Sequence, residues 1–384
     1  MEESDQALWL TEVTCVATGT FGALAPPRIL RPVMRVLAWY HTSMFILFMI
    51  SALLNAFLAK DFFNESLESA HFLVTGLHLF SKFMTMMRRE REYLNLLQDI
   101  RKCWNGFITN NPKHKEYMLR ASTRADRTTI IIFSSICNVL TVNMLNSLVK
   151  NMIEPEKMHF PVQLYLPPQL SRSYAVGAAV QIIVFSSPVM IISTTTSFLN
   201  SITVHVEALG ASLAEDIRSM ENWQGEPAIR VYKKHQEIIR LVHGINRVMS
   251  GNWGFEMACA SVQLTLPAYR ALRALKRNEV EVINHCFITL LNFSVIYLIY
   301  TSGSKIYRMG EDVRNSVYES QWLLTPAPER KNLIFVMMRA NKPLEYKYKV
   351  FRFDLPGFTK VVNTVFSYMA VLRFLDGHDS GPRI

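Results

Sequence analysis

The segment VLAWYHTSMFILFMISALLNAFLA, residues 36–59, contains no Asp, Glu, Lys or Arg. In hydrocarbon such a segment has one fold open to it. Backbone removed from water must satisfy its own hydrogen bonds, and a helix of about 20 apolar residues crosses a bilayer core of about 30 Å. Six further segments repeat the pattern: 69–87, 128–149, 174–202, 254–271, 281–303 and 357–375. The second, fifth and seventh of the set are the weakest, because each carries polar residues. The expected fold class is therefore all-α, a polytopic membrane protein with seven transmembrane helices. With no internal repeat and no low-complexity linker, residues 1–384 read as a single domain. Composition agrees, since 50% hydrophobic and 11% aromatic residues is too apolar for an ordinary soluble domain of this length.

Orientation follows from where Lys and Arg fall. With the N-terminus cytoplasmic, segments 1–35, 88–127, 203–253 and 304–356 hold 29 of them, against 10 on the other side. That bias predicts a cytoplasmic N-terminus and an extracellular C-terminus, the reverse of a G-protein-coupled receptor. The opening MEESDQALWL is acidic and lacks the basic n-region of a secretory signal peptide. The sequon at Asn64 falls in the first outside loop, where a glycan can be added, whereas Asn292 lies within a span. The five cysteines are odd in number and imply no disulfide framework. In a soluble protein the net charge of +10 would suggest nucleic acid. Here the basic residues sit between greasy runs, so lipid is the expected neighbour and no nucleic-acid partner is expected.

The inside segments are helical in pattern. Tyr93, Leu97, Ile100 and Trp104 recur at helical spacing, as do Tyr232, Ile238, Ile239, Val242 and Ile245 in 227–249, and 331–338 gives a third stretch. These helices either extend the spans into a packed cytosolic anchor, within 88–127, 203–253 and 304–356, or lie on anionic lipid. Enzyme signatures such as HExxH, G-x-S-x-G and CxxC are absent. No metal or cofactor is expected, because His71, His78 and His285 have no carboxylate or thiol partners in the pattern and read as packing or pocket residues. Ser302-Gly303-Ser304 reads as a helix bend. A transporter would need several buried charges near the midplane, and Lys82 and Glu256 are the internal candidates.

The C-terminal third carries an ordered set of short motifs. GEDVRNSVYESQW (310–322) is followed by KNLIFVMMRANKP (331–343) and PGFTKVVNTVFSYMAVLR (356–373). This order, with Tyr318, Trp322, Met338, Arg339, Pro343, Phe351, Ser367, Tyr368 and Leu372 in place, resembles the insect odorant receptors over roughly residues 296–375. The resemblance implies a ligand-gated cation channel in the cell membrane of a sensory neuron. It implies four subunits around one pore, and an odorant-tuned subunit that assembles with the family's co-receptor. Gustatory receptors share the architecture and can act alone, but favour a different signature in the last helix.

On a helix over 358–375, Lys360, Thr364, Ser367, Val371 and Phe374 form one stripe, and Val361, Val365, Tyr368, Met369 and Leu372 the other side. Such a stripe suits a pore with a hydrophobic constriction that gates by dewetting, and would also serve as a helix-packing face. The resemblance assigns Val371 and Leu375 to the gate, with Ser367 and Phe374 lining the pore. Phe374 stands where the co-receptor has a polar residue. For the odorant, the family places a pocket in the outer half of the spans. Candidate lining residues are His71, Phe72 and Thr75, then Asn138 and Val142. Tyr174, Ala178, Gln181, Ile182 and Phe185 follow, then Phe287, Ile288 and Leu291, with Leu145, Asn284, Leu266, Pro267 and Tyr269 as further candidates. Polar groups such as His71, Asn138 and Gln181 are costly in a membrane unless paired, and can hydrogen-bond a ligand.

Overall fold

A computed structural model of the chain describes residues 8–20, 30–59, 66–108, 112–156, 158–221, 223–277, 279 and 281–379. Asn64 lies outside the described residues. The described chain is almost wholly helical: α1 (Trp9–Ala17), α2 (Leu30–Leu58), α3 (Leu67–Arg88), α4 (Glu90–Ile108), α5 (Pro112–Ile153), α6 (Tyr174–Arg218), α7 (Gly225–Lys276), α8 (Val282–Glu319), α9 (Ala327–Ala340) and α10 (Leu355–Asp379). A short antiparallel hairpin, β1 (Lys347–Tyr348) with β2 (Phe351–Arg352), precedes α10.

Every one of the seven apolar segments falls on a helix. Among the described residues, α2, α5, α6 and α8 are long and apolar enough to cross a membrane. They are the four segments that the sequence favours most. Their outward faces present Ile46, Leu47, Ile50, Phe57, Ile130, Ile131, Leu148 and Leu290 to the surroundings. An apolar surface of that extent is at rest in hydrocarbon, not in water.

Helices α5, α6, α7 and α8 run 42, 45, 52 and 38 residues. At about 1.5 Å per residue each is roughly twice as long as a bilayer core is thick. The amphipathic stretches are thus continuations of the spans or helices laid against them. Tyr93, Leu97, Ile100 and Trp104 of α4 are all fully buried, together with Ile238, Ile239, Val242 and Ile245 of α7, in one large core. Their apolar stripes face protein, not lipid. The chain does not continue unbroken from α3, however. It bends at Arg89, whose guanidinium donates to the carbonyls of Arg247 (2.6 Å) and Val248 (3.2 Å) and fastens the bend to α7.

The central helix is α6. Its run from Ser193 to His205 is buried although it is rich in Ser, Thr and Asn. Small hydroxyl side chains let neighbouring backbones approach closely, and some bond back along their own helix, as Thr203 does to the Leu199 carbonyl at 2.7 Å. Ser302-Gly303-Ser304 lies within the continuous helix α8. It is the place where the turn before α10 docks. A Cβ at Gly303 would stand 1.6 Å from the Phe353 carbonyl oxygen. The Ser304 hydroxyl accepts the Leu355 amide at 2.9 Å, and Asp354 caps α10 by accepting the Gly357 amide at 2.9 Å.

Candidate functional site

Between α3, α5, α6 and α8 lies a cavity of about 80 Å³. Its walls are apolar. Phe48, Phe72 and Phe185 meet edge to face in a closed triangle, with centroids 6.0, 5.7 and 5.9 Å apart. Edge-to-face rings hold each other rigidly and add to the burial that places them. Leu79 of α3, Ile136 and Val139 of α5, Pro188, Val189 and Ile192 of α6, and Ile288 and Leu291 of α8 add to the apolar lining.

Four polar side chains interrupt this lining: His71 and Thr75 of α3, Asn143 of α5 and Asn292 of α8. His71 Nδ1 and Thr75 Oγ1 sit one turn apart on α3, buried and with no hydrogen-bond partner among the described residues. An unpaired polar group in an apolar interior costs about 1–3 kcal/mol. A ligand bearing a hydroxyl or carbonyl would recover that cost. Thr75→Val keeps the shape and removes the hydroxyl, so stability is expected to stay within about 1 kcal/mol or to rise. A loss of more than that in thermal unfolding would mean that the hydroxyl has a structural partner.

Of the residues picked from sequence, His71, Phe72, Thr75, Phe185, Ile288 and Leu291 come together on this cavity. The others do not. Asn138 is exposed on the outside of α5, Val142 is half-buried, and Phe287 is exposed on α8. The inward stripe of α5 is instead Ile132, Ile136, Val139, Asn143 and Ser147. Tyr174 and Gln181 lie beside the segment 158–164, and Ala178 is buried on the same helix. Gln181 accepts the Val162 amide at 3.0 Å, and Tyr174 accepts the Ser147 hydroxyl at 3.0 Å and stacks on Phe160. Ile182 borders a separate pocket with Gln181 and Phe185. Phe48, Val139, Asn143 and Pro188 were missed, although Asn143 is an amide in an apolar run and Pro188 interrupts a helix.

Helices α3 and α7 are cross-linked by polar pairs whose α7 members lie seven residues apart. Glu68 pairs with Arg270, the Gln263 amide donates to His78 Nδ1 at 3.0 Å, and Lys82 lies 2.6 Å from Glu256. His78 Nε2 also stands 3.1 Å from the Glu256 carboxylate. The two isolated charges, Lys82 and Glu256, are therefore committed to each other. The adjoining side of α7 holds α10, where the Tyr269 hydroxyl donates to Asp376 at 2.7 Å and Arg273 lies 3.3 Å from the same carboxylate. On α10 the side formed by Val361, Val365, Met369 and Leu372 meets the bundle, while Lys360, Ser367, Val371, Phe374 and Leu375 face away. Tyr368, assigned to the bundle side from its spacing, is 45% exposed and faces away too.

A sequence model of the family described as 7tm odorant receptor matches residues 62–366. The chain belongs to the odorant receptor family. Such receptors are ligand-binding proteins and not enzymes. Among curated odorant receptors, the chain is 21% identical to odorant receptor 10 of Aedes albopictus over 324 residues, 81% of this chain and 84% of that one. It is 22% identical to odorant receptor 47b of Drosophila melanogaster over 177 residues, which spans 42% of that relative's length. The fold matches the insect olfactory receptor OR5 from Machilis hrabei at a TM-score of 0.73 and 13% identity, covering 95% of this chain and 97% of that one. Against the same receptor in complex with eugenol the TM-score is 0.75, with 97% and 100% covered.

Proposed function

We propose that this odorant receptor is the odorant-tuned subunit of a ligand-gated, non-selective cation channel in the plasma membrane. It binds a small volatile in the cavity between α3, α5, α6 and α8. The observation that carries this reading is the mainly apolar cavity with two unsatisfied polar atoms on one wall. That is the shape of a site for a small molecule with an apolar body and one polar group. A similar fold is known with eugenol bound. All of the proposed pocket residues on the cavity, from His71 to Leu291, act by contact with the ligand. Gln181 and Tyr174 act indirectly, by holding the segment above it, and Asn138, Val142, Ala178, Ile182 and Phe287 have no role in binding.

The chain crosses the membrane seven times, with its N-terminus inside and C-terminus outside, as the Lys and Arg bias of 29 to 10 supports. It forms one domain, and Asn64 is the glycan acceptor. The pore is lined by the outward side of α10, with Val371 and Leu375 at the gate. An exposed apolar surface on and near α9, including Leu324, Phe335 and Met338, supports assembly through the cytosolic region into a tetramer with the co-receptor. Binding opens the channel only in so far as the ligand favours the open state over the closed one. Replacing Val371 with alanine widens the constriction and is expected to raise the unliganded current several-fold. An unchanged basal current would remove Val371 from the gate.

Whole-cell current decides the assembly. Cells expressing this chain with the co-receptor should give a fast cation current on exposure to small volatiles, and cells expressing the chain alone should give none. Current from the chain alone would point instead to a self-sufficient channel of the gustatory kind.

A further inference from the structure

Between α5 and α6 lies a second recess, of about 240 Å³. Leu140 and Met144 of α5 form one wall, Pro161 and Val162 another, and the Phe185 ring lines both this recess and the cavity. Its rim opens outward at Thr141 and Ile182, which are exposed beside Leu145 and Ile183. Both helices are long and apolar enough to cross a membrane, so the opening faces hydrocarbon. An apolar recess of this kind stays dry and takes apolar molecules.

One polar group breaks the pattern. Gln181 lines the recess and is 2% exposed. The Val162 amide donates to its Oε1 at 3.0 Å. That partner is a donor, so the oxygen must stand on its side and the amino group on the other. The amino nitrogen, Nε2, has no partner among the described residues. A buried amide in a membrane helix has a local remedy, which Asn292 uses: its amino group donates to the Ile288 carbonyl one turn back at 2.8 Å. Gln181 makes no such bond, and hydrocarbon offers it no acceptor. The hydroxyl of Thr141 is already spent on the Cys137 carbonyl at 3.0 Å.

We propose that the recess between α5 and α6 is a second ligand site, entered from the bilayer, for a small apolar molecule with one hydrogen-bond acceptor, such as a ketone or an ester. The Gln181 amino group donates to that acceptor while its oxygen keeps hold of Val162. The site is distinct from the odorant cavity and stands whether or not the cavity binds the odorant.

The test is photolabelling of the purified full chain in lipid nanodiscs with 2-octanone carrying a terminal diazirine, mapped residue by residue by mass spectrometry. Leu140 and Met144 line the recess and not the cavity, so label there reports on the recess alone. Labelling should saturate, and unlabelled 2-octanone should compete at least tenfold better than octane at equal membrane concentration. Gln181→Met should abolish that preference while changing octane less than twofold. Met144→Phe fills the recess without touching Gln181, and serves where Gln181→Met disturbs the segment at Val162. It should remove the label at Leu140 and change any label at Ile136 and Val139, on the cavity, less than twofold. Labelling that never saturates is partition into lipid only and overturns the site, as does a Leu140 label that survives Met144→Phe. Equal competition by octane overturns the donor role of Gln181, as does a preference for the ketone that survives Gln181→Met. The cavity reading is untouched by each of these results.

Discussion

Replacing Lys82 with methionine is expected to destabilise the protein by about 3–5 kcal/mol, the usual result of removing one partner from a buried ion pair. Lys82 is 7% exposed and Glu256 2% exposed, and they stand 2.6 Å apart in the middle of the α3–α7 contact. Without the ammonium, the Glu256 carboxylate keeps His78 at 3.1 Å but loses its permanent counter-charge. Burial leaves that carboxylate little solvent to replace the lost charge. Adding Glu256→Gln to Lys82→Met removes the stranded charge, and should restore most of the loss, because well-packed neutral replacements of buried pairs are often harmless. Thermal unfolding of the single and double variants, with cell-surface expression as a second readout, checks both halves. A single variant as stable as the parent, or a double variant no better than the single, would show that the pair is not the joint described above.

The second large effect is expected at Gly303. A Cβ there would lie 1.6 Å from the Phe353 carbonyl oxygen, a contact no pair of atoms sustains. The obstacle is main chain, not a side chain that can swing aside. Gly303→Ala must therefore drive α8 from the turn before α10, and with it the Leu355 bond to Ser304 and the rings of Phe293, Tyr297 and Tyr300 around Phe358. Overpacking commonly costs about 1–3 kcal/mol, and this site belongs at the upper end of that range. Gly106→Ala is the control. It lies in α4 with nothing within 4 Å of the new methyl, so it should be neutral or stabilise by about 0.5–1 kcal/mol through helix propensity. Equal losses from both substitutions would show that the Gly303 contact is not specific.

The helices were legible because span length and backbone satisfaction leave membrane segments little choice. The buried faces of α4 and of the inner part of α7 were legible for a different reason. There the outer side is wet, so apolar and polar residues alternate at helical spacing and Tyr93, Leu97, Ile100 and Trp104 stand out. In the spans that contrast disappears. On α5 both Val139, facing the cavity, and Leu145, facing outward, are apolar, so periodicity does not say which side is inside. The register chosen from sequence therefore selected Asn138 and Val142 where the structure presents Val139 and Asn143. On α3 the polar pair His71 and Thr75, picked from sequence, does line the cavity. Lys82 and Glu256 were visible as isolated charges, but their pairing depends on how α3 and α7 align, which spacing within one segment cannot reveal.

The position of α10 relative to α8 has a mechanical consequence. Around a helix that turns about 100° per residue, Phe293, Tyr297, Tyr300 and Ser304 lie roughly 120–180° from Ile288. Ile288 borders the cavity, and those four residues cradle the base of α10. The cavity and the last helix thus press on opposite sides of one rod. A molecule too bulky for 80 Å³ acts as a wedge, and the sideways thrust it delivers to α8 arrives, a few turns further on, against the foot of α10.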